Sequence, residues 1–295
     1  KKWPAWVGYI IIIGAWFAAI RYYILNQVDL YGTMYYPLMN MFRTESYGFL
    51  FGVFLAIPVF IILSLLYWTI NKIWSKTPEE NRTGRRTFFR TAATIVPLAT
   101  IGGSSYAAFA GQQELVVTHE SFGYTNLPPG LKNYKIVQLS DIHIGPSIDL
   151  DDFDEILKLA LLQKPNRVVI TGDLIDKLAW LPQVCERLTT FAKQIPDGVD
   201  FILGNHEYHH DVNKVLDSLK RNTPMNILVN SNIQIMGGKQ PVYIAGVAYD
   251  NDRKKDNREA MINKALSGIP DYAFVILLAH HPEFFEESIE RKIPL

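Results

Sequence analysis

Residues 134–145 read Tyr-Lys-Ile-Val-Gln-Leu-Ser-Asp-Ile-His-Ile-Gly. The apolar run ending at Leu139 gives way to Asp141 and His143, two side chains able to hold a metal ion, where a buried strand would run out. One such pair is equally what a solvated sheet edge presents. The pattern recurs, however, in Val168-Val-Ile-Thr-Gly172-Asp173-Leu-Ile-Asp176, in Phe201-Ile-Leu-Gly204-Asn205-His206-Glu207, and in Val275-Ile-Leu-Leu-Ala279-His280-His281-Pro282. Four apolar runs that each end in Asp, Asn or His, with glycines where the backbone must turn tightly, are hard to explain as packing.

Oxygen donors mixed with imidazoles, and no thiolate, suit a borderline or hard divalent ion such as Mn, Fe, Zn or Co. So many ligands suit two ions about 3.5–4 Å apart that share a carboxylate, the geometry of a phosphoester-hydrolysing site. Around these motifs, β-branched runs alternate with helical patterns. Strands are expected at 134–139, 167–171, 199–203, 226–229, 243–247 and 274–279, with helices near 153–163, 181–194, 212–221 and 258–266. That alternation predicts an α/β domain whose ligands sit at the carboxyl ends of its strands.

The set D-x-H, G-D-x-x-D, G-N-H-E and a later strand-end histidine resembles the calcineurin-like metallophosphoesterase superfamily, from about Lys135 to Pro282. The lead-in Leu127–His143 further resembles that family's membrane-linked or exported bacterial branch. The resemblance implies a metallo-dependent phosphatase fold, a β-sandwich flanked by helices, over residues 133–295. By position it implies that Asp141 and His143 bind one metal, that Asp173 bridges two, and that Asn205 and His280 bind the second. His206 is implied to act on the reaction rather than on a metal, stabilising the transition state or protonating the leaving oxygen. Asp176 and Glu207 are expected to orient the ligating side chains. His281 neighbours His280, and a one-residue slip would decide between them; His280 is favoured. His209 and His210 are expected to face solvent, and His119 to be structural. The family closes on a G-H-x-H, and no H-x-H occurs here. With Lys1 as the first residue, the expectation is a fragment cut at both ends; the other reading is a natural protein whose site lacks one ligand per ion.

The first third of the chain has the texture of lipid-facing helices. Residues 6–25 and 48–70 each approach the roughly 20 apolar residues that cross a bilayer, and both are flanked by Trp and Tyr. A third segment, 88–110, is diluted by Ala, Thr, Gly and Ser. It either spans or is an export signal, because Gly84–Arg90 resembles a twin-arginine motif and Ala108-Phe109-Ala110 a cleavage site. Lys72, Lys76, Arg82, Arg85, Arg86 and Arg90 crowd the stretch before it, whereas Arg21 and Arg43 stand alone around the first loop. Residues 71–90 are therefore expected in the cytoplasm, and the catalytic domain outside it if the third segment crosses. Residues 111–132 are expected as a linker or lead-in strand.

Composition narrows the rest. Lysine plus arginine equal aspartate plus glutamate at 29 each, and no basic stripe accompanies the motifs, so no nucleic-acid partner is expected. The single cysteine, Cys185, excludes an internal disulfide and a thiolate zinc cluster. The acidic run Asp149–Glu155 is expected to begin a helix rather than bind calcium, and Arg253–Lys255 to be a solvated loop. The function expected is a membrane-anchored phosphoesterase with two divalent ions and a hydroxide held between them, acting on a phosphorylated small molecule or lipid. Two other readings are a UDP-2,3-diacylglucosamine pyrophosphatase-like hydrolase and a catalytically silent membrane scaffold or sensor.

Overall fold

In a computed structural model the chain is described over residues 5–28, 31–73, 79–110, 115–145, 147–249 and 254–293. It divides into two compact units, Lys1–Val116 and Val117–Leu295. The expected loop cation Lys76 and Arg253 lie outside the described residues.

The first unit contains helices α1 (Ala5–Gln27), α2 (Tyr36–Ile73) and α3 (Glu79–Ala110). Both α2 and α3 extend upstream of the expected apolar spans. At 1.5 Å per residue α2 is about 57 Å long, well beyond a hydrocarbon core of about 30 Å. The helices pack through their smallest residues. Gly48, Gly52 and Ala56 recur every fourth position on α2 and are buried, and Ser104 Oγ of α3 donates to Gly48 O at 2.8 Å. A Cβ on Gly52 would lie 2.5 Å from Ile101 Cα, so the two backbones are nearly in contact, the small-xxx-small packing of helices in lipid. Near the end of α1, Arg21 donates to Ser46 Oγ at 2.7 Å and pairs with Glu45. The large apolar side chains point outward instead: Trp16 is 72% and Phe54 69% exposed. Helix α2 and the stretch Thr83–Ala110 of α3 are long and apolar enough to cross a membrane.

The second unit runs β1 (Ile136–Leu139), α4 (Leu150–Leu162), β2 (Arg167–Ile170), α5 (Leu181–Ala192), β3 (Val199–Phe201), α6 (Asn205–His209), α7 (Val212–Asn222), β4 (Asn226–Ile227), β5 (Ser231–Met236), β6 (Val242–Gly246), α8 (Lys255–Ala265), β7 (Phe274–Leu278) and α9 (Phe285–Glu290). Strands β1-β2-β3-β4 form a parallel sheet, and β5-β6-β7 a second sheet with β5 antiparallel and β7 parallel to β6. Val169, Ile202 and Leu228 from the first sheet meet Val242, Ile244, Phe274 and Ile276 from the second in one core. The sheets approach closely there, since a Cβ on Gly246 would lie 2.5 Å from Leu228 Cβ. This is the expected sandwich. Ile262 and Ala265 of α8 cover the outer face of the second sheet against Ala245, Val247 and Val275. Val168 and Ile170, which alternate with Val169, turn to the opposite face of the first sheet and are fully buried.

Local chemistry explains several boundaries. Asp149 caps α4, accepting from the N–H groups of Asp151 and Asp152 while the Asp152 carboxylate accepts from the Asp149 N–H, so the acidic run is a capping box. Cys185 is buried in α5, and burial raises its thiol pKa. Lys255, expected in a loop, opens α8 and bonds Glu290 at 3.1 Å. Residues 115–123 form neither helix nor strand, so the expected lead-in strand is absent among the described residues. The packed unit nevertheless begins before residue 133, because Tyr124 stacks edge-on against Phe274 at 5.4 Å and Leu127 joins the core.

A polar row crosses the first sheet within this apolar frame. Arg167 Nη1 of β2 donates to both oxygens of Asp200 on β3, at 2.8 and 3.0 Å, and Asn226 Nδ2 of β4 donates to Asp200 Oδ1 at 2.8 Å. Asp200 is fully buried and Arg167 nearly so. Removing one partner of a buried pair strands the other charge, so Asp200→Ala is expected to lose about 3–5 kcal/mol of stability. Urea unfolding would read it, and a loss under about 1 kcal/mol would contradict the pairing.

Candidate metal centre

Strands β1, β2 and β3 are parallel and in register, so their carboxyl ends lie along one edge, and Asp141, Asp173 and Asn205 stand just beyond them. Main chain ties the loops together. Asp141 N–H donates to Gly172 O (3.2 Å), His143 N–H to Asp173 O (2.9 Å) and Ile144 N–H to Leu174 O (2.9 Å). Asp141, His143 and Asp173 have φ of 54°, 52° and 52°, the left-handed region that non-glycine residues enter at a cost of about 1 kcal/mol or more. Two glycines make the closeness possible. Gly172 has φ 93°, and a Cβ there would lie 2.5 Å from Gly204 N; a Cβ on Gly204 would lie 2.5 Å from Asp173 N and overlap its carboxylate.

Asp173 occupies the middle of the site at 2% exposure. Its Oδ2 faces His143 Nε2 at 3.5 Å and His206 Nε2 at 4.0 Å, whereas its Oδ1 faces His280 Nε2 at 3.5 Å. Asp141 Oδ1 lies 4.0 Å from His143 Nε2. Two donor groups result that share Asp173: Asp141, Asp173 and His280, and His143, Asp173 and His206. These separations are too long for hydrogen bonds and short enough for atoms that converge on a common cation.

The hydrogen bonds on the far sides of the rings fix the tautomers. His280 Nδ1 lies 2.8 Å from Thr171 O, which can only accept, so Nδ1 holds the proton and Nε2 presents a lone pair. That lone pair faces Asn205 Oδ1 at 3.0 Å, a second acceptor. A ring nitrogen and an amide oxygen thus converge beside the Asp173 carboxylate, a donor set that fits a divalent metal. Asp176 Oδ1 does the same service for two rings, His143 Nδ1 at 3.2 Å and His206 Nδ1 at 2.7 Å. Both Nε2 atoms are thereby directed toward Asp173.

Some expected roles change. Glu207 does not orient a histidine. Fully buried, its carboxylate accepts from Gly204 N–H (2.7 Å), Asp173 N–H (3.0 Å) and Leu174 N–H (2.8 Å), clamping the loop after β2 to the one after β3. His210 is exposed, as expected, and its Nε2 lies 3.7 Å from Asp176 Oδ1, so with His206 it forms a third donor group at the rim. The histidine pair at 209–210, one residue after Asn-His-Glu, was its only sequence signal. His209 is exposed, with its ring 5.4 Å from that of His206. His281 lies against Tyr249, ring to ring at 5.3 Å, while His280 enters the site. His119 is exposed in the irregular segment rather than structural.

A sequence profile of the calcineurin-like phosphoesterase family matches residues 134–293. The chain is 30% identical over 229 residues to an uncharacterized metallophosphoesterase of Campylobacter jejuni, covering 76% of this chain and 56% of that protein. It is similar to proteins described as transmembrane protein with metallophosphoesterase domain from Danio rerio (23% identity over 248 residues; 82% and 56% covered) and Bos taurus (28% over 253 residues; 77% and 52%). It spans about half the length of these relatives.

Proposed function

The chain belongs to the calcineurin-like phosphoesterase family, and from that premise we propose that it is a membrane-anchored, binuclear metal-dependent phosphohydrolase acting on a phosphate ester or anhydride. The carrying observation is Asp173, whose two oxygens face different imidazole donors, as a carboxylate shared by two cations would. His143 would complete one position and Asn205 with His280 the other, with Asp141, 4.0 Å from His143 and grouped with Asp173 and His280, within reach of both. Bound divalent cations would lower the pKa of water and offset charge on the phosphoryl oxygens. Mn, Fe, Zn and Co all suit these donors.

The chain's own residues supply the remainder. His206 Nδ1 lies 2.7 Å from Asp176 Oδ1, which orients the ring so that Nε2 is the atom through which it would pass a proton to a leaving oxygen. Asp176 also keeps His143 in the tautomer that leaves Nε2 free to ligate. Membrane anchoring is supported by α2 and α3 and by the two relatives described as transmembrane proteins. The cations at Lys72, Arg85, Arg86 and Arg90 support a cytoplasmic connection between α2 and α3, hence an extracytoplasmic catalytic unit. Location beside a bilayer favours a lipid or cell-envelope phosphate as substrate.

The test is turnover of a chromogenic phosphodiester and a monoester by the full-length protein, stripped with chelator and reloaded with each cation in turn. Activity is expected only with metal, and His206→Ala is expected to lower kcat about 10²–10⁴-fold with metal content unchanged. Absence of turnover with every cation would overturn the proposal in favour of a silent scaffold.

A further inference from the structure

Helices α2 and α3 border a cleft of about 100 Å³. Phe60, Leu63 and Tyr67 line it from α2, and Arg86, Phe89 and Arg90 from α3. The spacing explains the grouping: positions 60, 63 and 67 share one helical face, as do 86, 89 and 90, whereas consecutive Arg85 and Arg86 point in different directions. Tyr67 and Phe89 touch across it, ring centroids 5.5 Å apart. Tyr67 stands three residues from the end of the apolar run at Ile70, about 4.5 Å along the helix, so the cleft lies at the boundary between apolar and charged chain. One turn on, Lys72 sits over the Trp68 ring at 5.1 Å, a pairing of the kind that anchors helices at a membrane surface.

The walls are apolar and aromatic on the side of the span, and guanidinium on the side of the basic connection. We propose that this cleft is a binding site for one anionic phospholipid, with the headgroup phosphate held by Arg86 and Arg90 and the start of an acyl chain lying against Phe60 and Leu63. Guanidinium groups recognise phosphate bidentately, and two of them one turn apart present their donors to one anion. The apolar wall selects a lipid over free phosphate. The arginines of the twin-arginine-like stretch thereby acquire a role in the folded protein, independent of hydrolysis at the metal centre. The inference rests on the membrane reading of the first unit and leaves the catalytic reading untouched.

The test uses the full chain and two lipids. Flotation with pure phosphatidylcholine vesicles reads membrane insertion, which needs no headgroup charge. Native mass spectrometry after extraction then reads retained lipid, and phosphatidylglycerol is expected to be kept over phosphatidylcholine about tenfold or more, given about fivefold for each surface cation. Arg86→Gln with Arg90→Gln should reduce the preference to about twofold. Lys72→Gln with Arg85→Gln, which removes the same charge outside the cleft, should keep most of it. Excess inorganic phosphate should displace nothing. Equal losses in the two double variants, no preference in the unaltered chain, or release by phosphate would each overturn the site while leaving membrane anchoring intact. Failure to float would overturn anchoring and the site together. The two-lipid comparison needs no variant, so a misfolded double variant leaves the question decided.

Discussion

Asp173→Asn is expected to lower metal-dependent turnover by about 10³-fold or more while leaving the fold in place. Two shared cations supply several kcal/mol of transition-state stabilisation, and each 1.4 kcal/mol is about tenfold in rate. Asparagine keeps the shape, tolerates φ near 52°, and retains an oxygen for the His206 N–H now bonded at 2.8 Å. What it loses is the negative charge on which both donor groups converge. In chelator the variant should be no less stable than the parent, because a desolvated carboxylate with no cation beside it is itself costly. Added metal should raise the Tm of the parent and leave that of the variant in place, since only a ligand bound by the native state stabilises it. Turnover within about tenfold of the parent would remove Asp173 from the centre of the site.

Glu207→Ala should behave in the opposite way, as a stability defect that becomes a functional one. Its carboxylate serves three buried backbone N–H groups drawn from two loops. Stranding buried donors costs about 1–3 kcal/mol each, so roughly 3–9 kcal/mol is at stake, a large share of an ordinary domain's margin. Denaturant midpoint and proteolysis of the loops after β2 and β3 would report it. Glu207→Gln, which turns one acceptor into a donor facing an amide, should fall between. A loss below about 1 kcal/mol would mean that water or other backbone atoms take over the clamp.

The contrast between these residues shows what the linear sequence could carry. Asp141, Asp173 and Asn205 were legible because parallel strands place their carboxyl ends together, so a donor repeated at those ends must converge; His280, after β7 of the other sheet, was legible through the family resemblance. Strands β1, β2, β3, β6 and β7 were legible as β-branched runs. Strand β5 was missed although Ile233 and Ile235 alternate with Asn232 and Gln234; it is an edge, only half-buried, and its signal is short. That Glu207 holds main chain rather than a ligating side chain was not legible, because backbone N–H groups carry no mark in a sequence. The proximity of His210 to Asp176 depends on the single turn of α6 that follows Asn205, which five residues scarcely announce. In the first unit the apolar windows marked the spans and not the helices, since α2 continues through polar residues such as Arg43, Glu45 and Asn71.

The left-handed backbone at Asp141, His143 and Asp173 has an evolutionary corollary. At each position glycine would relieve torsional cost while deleting a donor, so conformational ease and chemistry pull against each other. A lineage released from selection for catalysis would gain thermal robustness by surrendering these side chains first. At three neighbouring positions this chain carries a donor side chain where glycine would be the easier backbone.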